Sequence, residues 1–320
     1  MTAGQGAPAH RPCGRLHLVG IVGPTAVGKT DVSVRLAQAL GGEIVSADSR
    51  QIYKCMDIGT AKAALAQQAA VPHHLIDVVA PDQELTLAHY QCLARAAIED
   101  IRARGLLPIL VGGTGLYVRA LLEGWTIPEA PPQPAFRARL QAEAERHGPQ
   151  ALHARLVTVD PAAAARIDPR NVRRVIRALE VHEQTGLPAS HQQCKQPPDW
   201  SILRIGLTMP REALYRRIDA RVDAMMGQGL EGEVRWLTQH GYGWDLPAMS
   251  GLGYKQIGQY LRGEVSLEEA VGLIKRHTRR FVRQQYNWFR LDDPAILWYN
   301  VNELRVESLL PLVSRFLAQP

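Results

Sequence analysis

The chain has 320 residues, 46% of them apolar, and 37 Lys and Arg against 31 Asp and Glu give it a net charge of +6. That much apolar material excludes an intrinsically disordered chain and suffices for one large domain or two smaller ones. Four cysteines with no C-x-x-C pair exclude a disulfide framework or a thiolate zinc site, and no apolar run approaches membrane-spanning length.

Residues 1–15 are small, polar and rich in Pro and Gly, without the apolar segment of a signal peptide, and read as a disordered tail on a cytoplasmic protein. The apolar run 16–22 reads as a strand. It ends in Gly23, Pro24, Thr25, Ala26, Val27, Gly28, Lys29 and Thr30, which fit G-x-x-x-x-G-K-[ST], the phosphate-cradling P-loop. The glycines let successive N–H groups face one anion-sized hollow, Lys29 supplies a charge and Thr30 a hydroxyl for Mg²⁺. An amphipathic helix over 31–40, closed by Gly41 and Gly42, adds its positive end. The motif predicts that a polyphosphate binds, without saying which.

Residues 43–46 read as a short strand that opens into Asp48 and Ser49. Strand C-termini of a parallel sheet face the ligand crevice, so Asp48 is expected opposite the P-loop. There it can ligate Mg²⁺, accept a proton from a nucleophile, or only cap a turn. His73 and His74 lack the spacing of a helical metal site. A helix over 86–104 leads to a buried strand at 106–111, which ends in Gly112, Gly113 and Thr114 where many nucleotide hydrolases carry an Mg²⁺-binding Asp. That argues against a standard ATPase and predicts something bulky against the two glycines.

Prolines 128, 131, 132 and 134 form a stiff connector into helices expected at 134–156 and 170–185. Residues 137–177 hold nine Arg and four acids, and Arg170, Arg173, Arg174 and Arg177 share one helical side. Acids are scarce beside the last three, which points to phosphate contacts rather than a salt-bridged face. A core strand at 201–207 makes the helical piece, 125–204, an insertion into a core formed by 16–124 and 205–320. A long helix from Pro210 carries Arg216, Arg217 and Arg221. The Gly-rich turn Ser250, Gly251, Leu252, Gly253, Tyr254, Lys255 follows. In a helix expected over 268–290, residues 275–290 hold six Lys or Arg, no acid, and the aromatics Phe281, Tyr286, Trp288 and Phe289. Basic residues beside aromatics suit unpaired nucleotides, although the aromatics can equally be core.

The motifs at 23–30, SADSRQIYKCMDIGTAK (46–62), HHLID (73–77), GGTGLY (112–117), RALEV (177–181), GLGYKQ (251–256) and 283–290 occur in the order of the bacterial tRNA dimethylallyltransferases, which the chain resembles over nearly its whole length after residue 15. The resemblance implies an α/β fold, a P-loop NTPase-like core whose parallel sheet is flanked by helices, plus an all-helical insertion. It implies a monomeric enzyme, using Mg²⁺, that moves a dimethylallyl group from dimethylallyl diphosphate to N6 of the adenosine just 3′ of the anticodon, in tRNAs reading codons that begin with U. By the same resemblance Asp48 is the general base, Thr114 lies beside the reaction channel and Arg221 joins the P-loop at the diphosphate. Asp48, Ser49, Arg50 and Gln51 would touch the target base. Arg137, Arg173, Arg174, Val175, Ile176, Arg177, residues 250–255, and Arg283, Gln284, Gln285, Tyr286, Asn287, Trp288, Phe289 and Arg290 would hold the anticodon stem-loop. Two other readings of the P-loop stay open: a small-molecule or nucleoside kinase, which needs neither the basic insertion nor the basic aromatic helix, and an RNA-binding module switched by nucleotide, which does not need Asp48.

Overall fold

The computed structural model describes residues 15–192 and 194–319. The tail expected at 1–15 therefore lies outside the described residues, Arg15 excepted, which pairs with Asp199. The chain divides into two compact units, Leu122–Pro198 and the remainder.

The larger unit is built on a six-stranded, wholly parallel sheet. Its first part runs β1 (Leu16–Val22), α1 (Lys29–Leu40), β2 (Gly42–Ser46), α2 (Leu65–Ala70), β3 (His73–His74), α3 (Leu87–Ala103), β4 (Leu107–Gly112) and α4 (Gly115–Leu122). The smaller unit holds α5 (Pro134–His147), α6 (Pro149–Val159), α7 (Pro161–Ala164), α8 (Val172–Thr185) and α9 (Ala189–Gln192). The larger unit resumes with β5 (Trp200–Thr208), α10 (Arg211–Gly227), α11 (Leu230–Gln239), α12 (Tyr254–Leu261), α13 (Leu267–Gln285), β6 (Leu297–Asn300) and α14 (Leu310–Leu317). Strand order is β3-β2-β4-β1-β5-β6. β1 is central, flanked by β4 in the register Val19–Ile109 and by β5 in the register Val19–Leu203. A strand covered on both faces needs an unbroken apolar run, which LHLVGIV supplies. The loops after β1, β2 and β4 all leave the C-terminal edge, which gathers the P-loop, Asp48 and Thr114.

Two of the apolar clusters among the described residues anchor the site's elements. Val19, Ile21, Leu36, Ile109, Leu207 and Ile218 pack α1 and α10 onto the sheet. Ile52, Met56, Val222, Val234, Tyr254 and Ile274 pack the loop after β2 against α10 to α13. Burying each such side chain is worth roughly 1.5–3 kcal/mol, so the loop that carries Asp48 is anchored by core, not merely tethered. At the far end of β2, buried Glu43 accepts from Arg104 and lies 2.6 Å from His74. The Arg104 guanidinium, against burial and with help from His74, holds the Glu43 carboxyl down at about 2.

Several boundaries differ from expectation. The helix expected over 134–156 is two helices, because Gly148 turns the chain at φ 84° and Pro149 opens the next one. Residues 200–204 are core, since Trp200 to Arg204 pair with Leu16 to Gly20. α13 starts under a capping box between Ser266 and Glu269 and ends at Gln285, not at 290. β3 and β6 are short edge strands with no alternating pattern of their own. Among the described residues no helix is long and apolar enough to cross a membrane.

Candidate active site

The P-loop follows β1 with Gly23 at φ 143° and Gly28 at φ 104°. A Cβ on Gly23 would stand 2.4 Å from the Leu207 carbonyl oxygen, so only glycine lets the loop pass over β5. α1 begins at Lys29, with its N-terminus at a pocket of about 470 Å³ lined by Lys29, Thr30, Asp48, Gln51, Arg217 and Arg221, among others. The Lys29 ammonium donates to the carbonyls of Gly23 at 3.0 Å and Pro24 at 2.9 Å. Burial brings it down to about 8, an effect opposed by the Asp48 charge and reinforced by that of Arg221. Burial also lowers Arg221, with Asp48 opposing and Arg217 reinforcing.

Asp48 stands two residues beyond β2, as parallel-sheet topology predicts. Its Oδ1 accepts from the N–H groups of Arg50 at 2.8 Å and Gln51 at 3.4 Å, the turn-capping role a short acidic side chain commonly takes. Among the described residues no donor reaches Oδ2. One oxygen thus orients the carboxylate while the other is free for a proton. Thr114 ties this loop to β4: its Oγ1 accepts the Ser49 N–H at 3.0 Å and its own N–H donates to Ala47 at 3.2 Å. Buried Tyr90 stacks on Tyr117 at 3.8 Å and donates to the Ser46 carbonyl, bracing the same strand end.

The bulky neighbour expected at Gly112 and Gly113 is the protein itself. A Cβ on Gly112 would lie 2.2 Å from the Ala47 carbonyl oxygen, and one on Gly113 would lie 2.4 Å from the Gln285 amide nitrogen. Gln285 is 3% exposed; it accepts the Thr25 N–H at 2.8 Å and donates to the Gly113 carbonyl at 3.0 Å. It braces the phosphate loop and is not a surface contact.

Arg50 donates to the Pro247 carbonyl and reaches the Ser250 hydroxyl, bringing the loops at 48–51 and 247–250 together. Of residues 250–255, Ser250 and Lys255 are exposed, Leu252 is half-buried, and Gly251, Gly253 and Tyr254 are buried, with the Tyr254 hydroxyl on Glu233. Arg283, Gln284, Asn287 and Arg290 are exposed, Arg290 paired with Asp292. The Tyr286 hydroxyl meets Thr208, Trp288 lies under Gly115, and Phe289 is buried. Of the four aromatics only Phe281 is exposed, so here the aromatics are mainly core.

In the smaller unit Arg173 and Arg174 are exposed, but Val175 and Ile176 are core. The expected scarcity of acids is corrected by Glu180. Its fully buried carboxylate accepts from Gln133 N–H, from two nitrogens of Arg137 and from Arg177 at 2.7–2.8 Å. Burial would raise this carboxyl, yet those donors hold it below the usual range. Arg137 and Arg177 are therefore braces of this unit in the free protein. Arg170 precedes α8 and pairs with Asp168.

Sequence reasoning passed over two lining cations. Lys62, whose side chain is 3% exposed, pairs with Asp57 and Asp77 at the pocket wall. Arg217 was visible only as the residue four before Arg221, the spacing that puts both on one helical face.

A parallel sheet with a P-loop at its central strand, and a carboxylate and arginines across from it, defines a P-loop-type enzyme acting on a polyphosphate. A family profile described as IPP transferase matches residues 51–292, and one described as Isopentenyl transferase matches 15–71. The tRNA dimethylallyltransferase of Roseiflexus sp. (strain RS-1) is 58% identical over 85% of this chain and 90% of its own length. That of Thermomicrobium roseum is 53% identical over 90% and 88%. The solved tRNA isopentenylpyrophosphate transferase of Bacillus halodurans superposes with a TM-score of 0.69 at 42% identity, covering 95% of this chain and 96% of that one. A eukaryotic dimethylallyltransferase solved acting on tRNA superposes at 0.80 with 26% identity, over 95% and 80%. The chain belongs to the IPP transferase family.

Proposed function

We propose that this protein transfers a dimethylallyl group from dimethylallyl diphosphate to N6 of the adenosine immediately 3′ of the anticodon, in tRNAs reading codons that begin with U. The observation that carries the reading is the position of Asp48: a turn-anchored carboxylate with one free oxygen, lining the same pocket as Lys29 and Arg221.

The donor's diphosphate sits on the P-loop N–H groups, Lys29 and Arg221. As the allylic C–O bond breaks, charge accumulates on the leaving diphosphate, where these preorganised donors stabilise it. An exocyclic adenine amine is a weak nucleophile because its lone pair is conjugated into the ring. Asp48 accepts its proton as the N–C bond forms, and the target base must leave its stack to reach the pocket. The exposed Arg173, Arg174, Lys255 and Arg283 offer charge to tRNA phosphates.

The donor set suits Mg²⁺. The Thr30 hydroxyl and the carboxylates of Asp31 and Asp48 are hard oxygen groups of one pocket. The Thr30 hydroxyl would hold the ion. When bound, Mg²⁺ supplies further charge neutralisation for the departing diphosphate.

The test is incubation of purified protein with unmodified tRNA, Mg²⁺ and labelled dimethylallyl diphosphate, with labelled ATP as the alternative donor. Label entering tRNA from the prenyl donor supports the reading. Transfer from ATP alone would replace it with the kinase reading.

A further inference from the structure

Three cations line the pocket without an ion pair of their own among the described residues: Lys29, Arg217 and Arg221. The neighbouring cations are committed elsewhere. Lys62 pairs with Asp57 and Asp77, Lys275 with Asp223, and Arg279 with Asp219. Of the two lining carboxylates, Asp31 accepts from Gln67 and Asp48 caps its turn. Arg217 and Arg221 stand four apart on α10, a spacing at which like charges destabilise a helix. An anion bound between the cations would offset that repulsion, and a multiply charged one would do so most.

The two arginines line the same pocket and feel each other's charge, but their other neighbours differ. Arg221 feels the Asp48 charge, as Lys29 does. The Arg217 guanidinium lies instead over the P-loop, 3.5 Å from where a Cβ on Gly28 would stand. We infer that Arg217 is a further diphosphate-binding residue: it takes the terminal phosphate of the prenyl donor, while Lys29 and Arg221 hold the phosphate bonded to the prenyl carbon. The inference deepens the proposed function and rests on it. No additional bond changes; the guanidinium neutralises charge on the diphosphate that leaves with the C–O electron pair. A ligand with two phosphates can engage both arginines at once, so Arg217 also favours a diphosphate over a monophosphate.

The experiment uses the full chain as wild type, Arg217→Ala and Arg217→Lys. Calorimetry measures affinity for pyrophosphate and for orthophosphate, thermal melting follows the free proteins, and prenyl transfer to tRNA is assayed in parallel. Arg217→Ala should weaken pyrophosphate binding by at least about tenfold, as expected when one charge-assisted hydrogen bond is removed, and change orthophosphate affinity little. Arg217→Lys should recover only part, since an ammonium lacks the guanidinium fork. Free Arg217→Ala should melt at or above the wild-type temperature, because a repulsion is removed. Equal losses for both anions, no loss for either, or a marked fall in melting temperature would each overturn the inference. A wild type that binds pyrophosphate with the Arg217-dependent preference yet transfers no prenyl group would support the subsite and overturn only the proposed reaction.

Discussion

The side-chain oxygen of Gln285 accepts the backbone N–H of Thr25 at 2.8 Å, joining the end of α13 to a phosphate loop 260 residues earlier. The same amide donates to Gly113, so one buried group sets the P-loop against the turn after β4. Gln285→Ala leaves a loop N–H and a carbonyl without partners, at a cost of about 1–3 kcal/mol each. We expect a lower melting temperature and a raised KM for the prenyl donor, with tRNA affinity in the absence of donor unchanged. Weakened tRNA binding at unchanged stability would mean that Gln285 is a surface contact after all.

Burial holds the Lys29 ammonium at about 8 in the free protein, below its ordinary 10.5. Diphosphate needs the charged form. Below pH 8 Lys29 is already protonated, and above it binding must take up a proton. Pyrophosphate affinity should therefore be level at lower pH and fall above about 8, by up to about tenfold per pH unit. Lys29→Arg, charged throughout, should abolish the fall. Calorimetry at about pH 8.5, above that midpoint, in buffers of different ionisation heat should register more net proton uptake by the wild type than by Lys29→Arg.

Arg177 and Arg173 lie four residues apart on α8 but do different work. Arg177 neutralises buried Glu180, so Arg177→Ala should destabilise the protein by on the order of 1–3 kcal/mol. The exposed pair Arg173 and Arg174 should govern salt dependence. Removing one phosphate-binding charge should lower the slope of log K for tRNA against log salt by roughly 0.7–0.9, with little change in melting temperature. Equal slopes for wild type and the Arg173→Ala/Arg174→Ala variant would make these arginines an ordinary solvated face.

These cases show which features a sequence exposes. The P-loop is legible because its chemistry demands fixed residue types at fixed spacing, and Asp48 because sheet topology dictates where strand ends point. Leu18 and Val19, adjacent and so on opposite faces, mark a strand buried on both faces by composition alone. The brace around Glu180 was hidden because Arg137 reaches it from 43 residues away. Gln285 was hidden because a basic helix was read by its exposed face, and an inward glutamine carries no periodic signal that names its partner. Lys62 sat within a motif and Arg217 on a helix already noted, yet their positions in the pocket depend on packing of the loop after β2 and of α10. The break at Gly148 and Pro149 was readable, since proline is favoured at the first turn of a helix and excluded from its interior.

Asp48→Asn tests the central claim most directly. Asparagine keeps an oxygen to cap the turn at Arg50 and Gln51, so the loop holds its shape while the proton acceptor is removed. The measurement is the single-turnover rate of dimethylallyl transfer to tRNA at saturating donor, with tRNA affinity determined alongside. The account predicts a rate lower by about 10² to 10⁴, the contribution of a positioned general base, and tRNA affinity within about twofold of wild type, as expected when every phosphate-binding charge stays in place. A rate equal to wild type would contradict it, leaving Asp48 as a turn cap alone.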